Sequence, residues 1–308
     1  MDIAVIGSNN IDLITYITRM PEEGETIEAP DFRLGFGGKG SNQAVAAARL
    51  GSSILMVTCV GDDLFANSTM QNYRDNGIDT RYVKQVPGAS GVAPIFVDPE
   101  ARNSVIIVKG ANNALTPDDL EAAAEDIARC ELIVLQLEIH LDTVRAAIAL
   151  GNRLNVPVLL NPAPATKELE VEWVARCEYF MPNETELALL TDMPVSNLDE
   201  IREAARTLLA SGCGNVIVTM GERGVLWLGS HGEELHVPQL SVDAVDTVGA
   251  GDAFIGCFAH CVTDGRSIEE SLRTANAYAA HSVTGHGTQT SYATAAEFEK
   301  WRAEREKS

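Results

Sequence analysis

The sequence predicts an α/β fold, with a central, mostly parallel sheet covered by helices and a small second sheet beside it. Three observations predict it. Short, largely apolar runs at 3–6, 54–59 and 132–137 have the composition of strands buried on both faces. After Pro117 such runs alternate with helical patterns, the rhythm of a parallel sheet. Two stretches, about 13–36 and 90–109, are β-rich but interleaved with polar residues, as in a half-exposed sheet. A chain of 308 residues with no visible repeat or linker fits one domain spanning 1–308.

The elements follow in order. Residues 3–6 give the first strand, ending at Gly7. Residues 13–18 and 26–36 give two polar-faced strands. A helix over 41–50 stops at Gly51, a residue that tolerates the left-handed turn ending many helices. The run 54–59 is a buried strand. Strands 91–97 and 104–109 are joined by the polar turn Asp98-Pro99-Glu100. Helix 118–128, strand 132–137, helix 141–151, strands 158–160 and 179–181, helices 184–191 and 197–210, and strand 216–219 come next. Pro157 precedes its strand, where a missing N–H is tolerated. Residues 225–228 and 234–237 form an antiparallel pair. Helices near 250–263, 267–284 and 294–304 complete the chain, and the two polar-faced insertions are expected to form a lid over the body.

Lys and Arg total 23 against 44 Asp and Glu, a formal charge of -21. Such a chain repels phosphate backbones, so no nucleic-acid partner is expected. A site for an anion must then be built from local donors and helix N-termini. The six cysteines, Cys59, Cys130, Cys177, Cys213, Cys257 and Cys261, form no CxxC pair. They fit buried thiols in a reducing compartment. Cys257 and Cys261 lie one helical turn apart with His260 between them; a metal site is conceivable, but a buried helix face is the stronger reading. The opening MDIAVIGSNNID lacks the basic segment of a signal peptide, and no run of about 18 apolar residues exists. No membrane association and a cytoplasmic location are expected.

Four segments carry chemistry. In Asp246-Thr247-Val248-Gly249-Ala250-Gly251-Asp252, small residues lead into an apolar helix. Gly249, Ala250 and Gly251 let backbone N–H groups converge on an anion, and Asp252 sits beside them in the first turn. A carboxylate there can take the proton of a hydroxyl attacking a bound phosphoryl group. Alone, it is also an acid placed favourably on a helix dipole. The run Gly35-Phe36-Gly37-Gly38-Lys39-Gly40-Ser41-Asn42-Gln43 opens another helix; it is not a Walker A loop, and a Rossmann dinucleotide site is disfavoured. Gly37 and Gly38 admit a ligand to the backbone, while Lys39 and Asn42 offer donors to hydroxyls. Asn183 and Glu186 share a helix face and can hold hydrated magnesium beside a phosphate, or simply begin a helix. Thr219, Gly221 and Gly224 leave a strand in a turn that suits a nucleotide phosphate or a hairpin.

Together these segments resemble the ribokinase family of sugar kinases over nearly the whole chain. GGKGSNQAVAAARLG is similar to the first family signature and DTVGAGDAFIGCF to the second, with LQLE ending at Glu138 and NPAPA at 161–165 in support. SNNIDLITY resembles the 2-deoxyribose-kinase branch. The resemblance implies a ribokinase-like three-layer body with a β lid that often mediates dimerisation, so a homodimer is expected. It implies Asp252 as catalytic base, Gly249, Ala250 and Gly251 as anion hole, and Asn10, Asp12, Gly38, Lys39, Asn42 and Glu138 as sugar contacts. It implies Asn183, Thr219, Gly221, Gly224 and Asn276 as nucleotide contacts, and Glu186 beside Mg2+. Asp246, Val248, Ser282, Gly287 and Ser291 match a monovalent-cation site, with K+ as the expected ion; Ser282 departs from the small apolar residue of the pattern and would coordinate through its backbone.

The expected reaction is phosphoryl transfer from Mg-ATP to the primary hydroxyl of a pentose, ribose or 2-deoxyribose, giving the 5-phosphate. Rivals are a kinase of the same class acting on a ketose, nucleoside or keto-deoxy sugar acid, and a silent sugar or nucleotide sensor. Retention of Asp252 behind Gly-Ala-Gly argues against the sensor. Asn10 offers a donor and an acceptor where the resemblance puts a pentose hydroxyl. It favours use of ribose at least as well as 2-deoxyribose, against the lean of SNNIDLITY.

Overall fold

The computed structural model describes residues 1–100 and 102–305. Its first half contains β1 (Ile3–Ile6), β2 (Asn10–Tyr16), β3 (Asp31–Gly37), α1 (Lys39–Leu50), β4 (Ile54–Val60), α2 (Leu64–Asp75), β5 (Asp79–Gln85), β6 (Val92–Val97) and β7 (Asn103–Val105). Then come α3 (Pro117–Ile127), β8 (Leu132–Leu135), α4 (Leu141–Leu154), β9 (Val158–Leu160), α5 (Val171–Val174), β10 (Tyr179–Phe180), α6 (Glu184–Thr191) and α7 (Leu198–Ala210). The chain closes with β11 (Asn215–Thr219), β12 (Val225–Gly229), β13 (Glu234–Val237), α8 (Ala250–Thr263), α9 (Ile268–Ser282) and α10 (Ala295–Arg305).

Among the described residues the main sheet has nine strands in the order β13-β12-β11-β10-β9-β8-β1-β4-β5, parallel except at β12 and β13. Alternate residues of its strands enter two cores. Ala4 and Ile6 pack with Leu120, Ala147 and Ala204 of α3, α4 and α7. Ile3 and Val5 pack with Ala46, Phe258 and Leu272 of α1, α8 and α9. Helices therefore bury both faces, as the apolar runs require.

A second sheet, β3-β2-β6-β7, combines the two polar-faced insertions. Three boundaries differ from expectation there. β2 starts earlier, at Asn10, so positions 10 and 12, expected to contact sugar, lie inside the first strand of this sheet in chain order. Residues 26–30 are not strand, and β3 begins only after Pro30. The expected strand 104–109 stops at Val105, and beyond it the chain meets β6 again in a Val92–Val108 bridge. Opposite the break stands Pro94, which accepts from Ile106 N but has no N–H to return.

The helix Leu64–Asp75 and strand Asp79–Gln85 have no counterpart in the sequence expectation. The helix expected over 267–284 ends at Ser282, because the Val283 carbonyl is taken by the N–H groups of Val245 and Asp246. Cys257 and Cys261 are buried in the core face of α8, and His260 Nδ1 lies 2.8 Å from Ser52 Oγ. No described helix is long and apolar enough to cross a membrane.

Candidate active site

The first turn of α8 organises the site. Gly249 caps the helix at φ 79°, a conformation that favours glycine. A Cβ there would stand 2.3 Å from Thr288 Cγ2, so the position is closed to a side chain on two counts. The first-turn N–H groups of a helix have no intrahelical partner, and Gly249, Gly251 and Asp252 line a cavity of about 120 Å³. Ala250 opens the helix beside them. Lys39, Asn161, Asn183, Glu186 and Thr219 complete the lining.

Asp252 is buried, and both its oxygens accept from side-chain amides of α1: Oδ2 from Asn42 Nδ2 and Oδ1 from Gln43 Nε2, each at 2.9 Å. α1 and α8 approach closely because Gly256 has no Cβ to strike Ala46 and the Gln43 carbonyl. Behind Asn42 runs a row of amides. Asn42 Oδ1 accepts from Gln289 Nε2 (3.0 Å), Gln289 Oε1 from Asn72 Nδ2 (2.9 Å), Asn72 Oδ1 from Asn76 Nδ2 (3.3 Å), and Asn76 Oδ1 from Arg49 Nε (2.9 Å). Arg49 can only donate, and an ionised Asp252 can only accept. The two ends thus set the orientation of every amide between them.

Most residues expected to contact sugar lie along β2 and the start of α1. Burial, then the nearby charges of Glu138 and Asp252, push the Asp12 carboxyl up to about 7. Gly37 leaves it room, since a Cβ there would meet Asp12 Oδ1 at 2.1 Å. Gly38, at φ 84°, brings the helix start against Asn9 and Asn10. Glu138 Oε2 accepts from Ser8 Oγ (2.5 Å) and Lys39 N (2.9 Å). Burial lowers the Lys39 ammonium's pKa, but Asp252, Glu138 and Glu186 outweigh it and raise it. Lys39 thus lines the small cavity within the field of three carboxylates. Asn42 thus engages Asp252 with its amide nitrogen and Gln289 with its oxygen.

A second cavity, about 640 Å³, adjoins the first through Asn183, Thr219 and Gly251. Gly221, Gly224, Leu240, Thr247, Phe254 and Asn276 line it. Gly221 (φ 53°) and Gly224 (φ 85°) form the turn after β11, so the hairpin reading and the cavity reading hold together. Asn276 also donates to the Pro238 carbonyl (2.9 Å). Asn183 and Glu186 form a reciprocal helix cap: Glu186 N donates to Asn183 Oδ1 and Asn183 N to Glu186 Oε2, both at 2.8 Å. Burial raises the Glu186 pKa most, against the Asn183 N–H and Lys39. Its Oε1 remains for a cation's water shell, and Mg2+ keeps several waters, so the position fits that ion.

Asp246 braces the loop expected to hold a monovalent cation. Its oxygens accept from Val248 N (3.0 Å) and Gly287 N (2.9 Å). Ser282 O accepts from Gly285 N (3.3 Å), and Ser291 Oγ donates to Thr288 O (2.8 Å). The five residues are brought to one loop region, with most of their polar groups engaged in holding it.

Sequence reasoning missed Gln43, Gln289, Asn112 and Asn161. Gln43 and Gln289 carried a signal: a glutamine inside an alanine-rich helix, and one within the expected cation loop.

The pfkB family carbohydrate kinase model matches residues 1–295. The chain belongs to this family. It is 56% identical over 302 residues to a deoxyribokinase of Salmonella typhi, covering 98% of each chain. It is 40% identical to a ribokinase of Mus musculus, covering 94% of this chain and 91% of that one. Among solved structures it is similar to a ribokinase of Thermotoga maritima (TM-score 0.89, 34% identity, 98% of this chain and 99% of that one). A ribokinase of Arabidopsis thaliana, complexed with ribose and ATP, matches with TM-score 0.89 and 31% identity over 97% of each chain. As a pfkB kinase the chain is an enzyme of the carbohydrate-kinase class, with the ribokinase-like fold and second sheet expected from its signatures.

Proposed function

We propose that this kinase transfers the γ-phosphoryl group of ATP to the primary hydroxyl of a pentose, giving the 5-phosphate. The observation that carries it is the position of Asp252: it lines the small cavity that joins the nucleotide-sized cleft, and it neighbours Asp12 of the sugar side. Its carboxylate takes the hydroxyl proton as the oxygen attacks, while the α8 N-terminus and Lys39 offset the developing charge. Mg2+, held near Glu186, supplies charge neutralisation between phosphate oxygens. Similarity to ribokinases and to a deoxyribokinase supports a pentose over a ketose or nucleoside. ATP consumption against a panel of pentoses, ketoses and nucleosides tests the reading; turnover confined to a non-pentose overturns it.

Relatives of both names match, the deoxyribokinase at 56% identity and the mouse ribokinase at 40%, so overall similarity leans toward 2-deoxyribose, against the local chemistry at residue 10. The local chemistry of Asn10 favours ribose at least equally with 2-deoxyribose. The check is kcat/KM for both sugars in the wild type and in Asn10→Met. A strong wild-type preference for 2-deoxyribose, or an unmoved ratio in the variant, removes residue 10 from the discrimination.

Two further parts belong to this reading. Potassium bound beside Asp246 and Gly287 orders the loop next to the anion hole and raises the rate a few-fold to about tenfold. Equal rates in potassium and tetramethylammonium would exclude it. A second copy covers the lid, where Phe32, Leu34 and the run Val105, Ile106, Ile107 and Val108 are exposed. Sedimentation should then show a dimer that Leu34→Asp weakens, and a monomeric wild type refutes it. Six free, buried cysteines and an ATP-dependent reaction fit a cytoplasmic enzyme.

A further inference from the structure

Amide side chains are ambiguous in orientation until a neighbour of fixed polarity decides them. Asn112, in the short 3-10 turn Gly110–Ala114 after the lid, is decided by backbone. Its Oδ1 accepts from Asn9 N (2.9 Å) and its Nδ2 donates to Asn9 O (2.8 Å). A backbone N–H must donate and a carbonyl must accept, so Asn112 cannot be turned over. The same Nδ2 lies 2.9 Å from Asn10. The atom of Asn10 facing it must be Oδ1. Asn10 Nδ2 is then left without a protein partner among the described residues.

The contact is built in. Asn112 is 1% exposed and lines neither cavity. A Cβ on Gly91 would stand 2.3 Å from both Asn10 Oδ1 and Asn112 Nδ2, so only glycine leaves space for their bond. Asn9 is itself anchored, donating Nδ2 to Thr58 Oγ1 (2.9 Å) and Cys59 O (2.8 Å).

We propose that Asn112 is a positioning residue that turns Asn10 into a one-way reader, a hydrogen-bond donor toward the sugar's 2-substituent. This rests on the reading that Asn10 faces that substituent. The 2-hydroxyl of ribose accepts from Asn10 Nδ2. A sugar that can accept there but not donate keeps the contact, and 2-deoxyribose leaves the amide unpaired.

The test uses 2-deoxy-2-fluororibose, whose fluorine accepts weakly and cannot donate. In the wild type its kcat/KM should lie between those of ribose and 2-deoxyribose, about threefold above the latter, a small part of the range a full hydrogen bond commands. Asn112→Asp offers only acceptors to Asn10, turns that amide over and presents its oxygen to the sugar. The fluoro sugar should then fall to or below 2-deoxyribose while ribose is still used. Asn112→Ala releases the amide to either orientation and should narrow the ribose to 2-deoxyribose ratio severalfold. A fluoro sugar no better than 2-deoxyribose in the wild type overturns the donor assignment, even if neither variant folds. An unchanged sugar order in folded Asn112→Asp overturns the role of Asn112. An Asn10→Met variant run alongside separates these failures from that of the underlying reading: only there does its ratio fail to move.

Discussion

Where the sugar is proposed to lie, Asn10, Asn42 and Gln43 are buried and already held by protein hydrogen bonds, with Asn112 behind Asn10. At the nucleotide end, a cavity of about 640 Å³ is lined by Leu240, Val242, Ala244, Phe254, Ala279 and Val283 beside turn glycines. The first end meets its ligand with side chains whose direction is set beforehand, which is where discrimination between close analogues and placement of a base must come from. The second offers shape, apolar surface and backbone groups, over which affinity is distributed. Substitution should therefore hurt steeply at the sugar end and gently at the nucleotide end.

The sharpest break is Asp252→Asn. It should lower kcat by about 10²–10⁴-fold, the range of a lost general base, with sugar affinity by calorimetry nearly unchanged. Turnover within about threefold of wild type would take Asp252 out of the chemistry. Gln289→Leu tests whether orientation matters at one remove from the base. Losing one hydrogen bond to Asn42 should lower kcat about tenfold with KM for the sugar steady. A rise in KM alone would show that the row of amides serves binding instead.

Asp12 supplies a pH signature. In the proposed reading its ionised carboxylate accepts from sugar hydroxyls with both oxygens, and its pKa is pushed up to about 7. The kcat/KM for sugar should fall as pH drops through 7, by about tenfold from pH 8 to pH 6. A raised carboxyl pKa also means that the folded state holds a proton the unfolded chain has released. Its stabilising contribution is complete below the unfolded value of 3.8 and is lost as pH rises through 7. Asp12→Asn should thus melt higher than wild type at pH 8 while losing sugar turnover; a lower Tm there contradicts the assigned cost of burying the charge. The gentlest effect is expected at the nucleotide end. Asn276→Ala should raise KM for ATP about two- to fivefold, through one hydrogen bond, and leave KM for sugar alone. A loss matching that of Gln289→Leu would erase the contrast.

Much of this was readable beforehand. Gly249 to Asp252 announce themselves as small residues and an acid opening an apolar helix, and Gly38-Lys39 similarly mark the start of α1. The strands of the main sheet stand out because burial on both faces demands largely apolar runs. α2 did not stand out, since Asn67, Ser68, Gln71 and Asn72 dominate it and only Ala66, Thr69 and Tyr73 are buried. β5 is an edge strand reading DTRYVKQ, polar on most positions. Gln43 and Gln289 carried only a faint signal, and Asn112 none, for another reason. Their partners lie 209, 247 and 102 residues away, and a buried amide looks like a surface one until its partner is known.

The row of amides from Arg49 to Asp252 points one way, and that has a consequence for inheritance. A Gln-to-Glu or Asn-to-Asp change within it sets acceptor against acceptor, whatever the tolerance of its neighbours taken singly. Positions 42, 72, 76 and 289 therefore share one fate in mutational drift: a change at any of them constrains what the others can become.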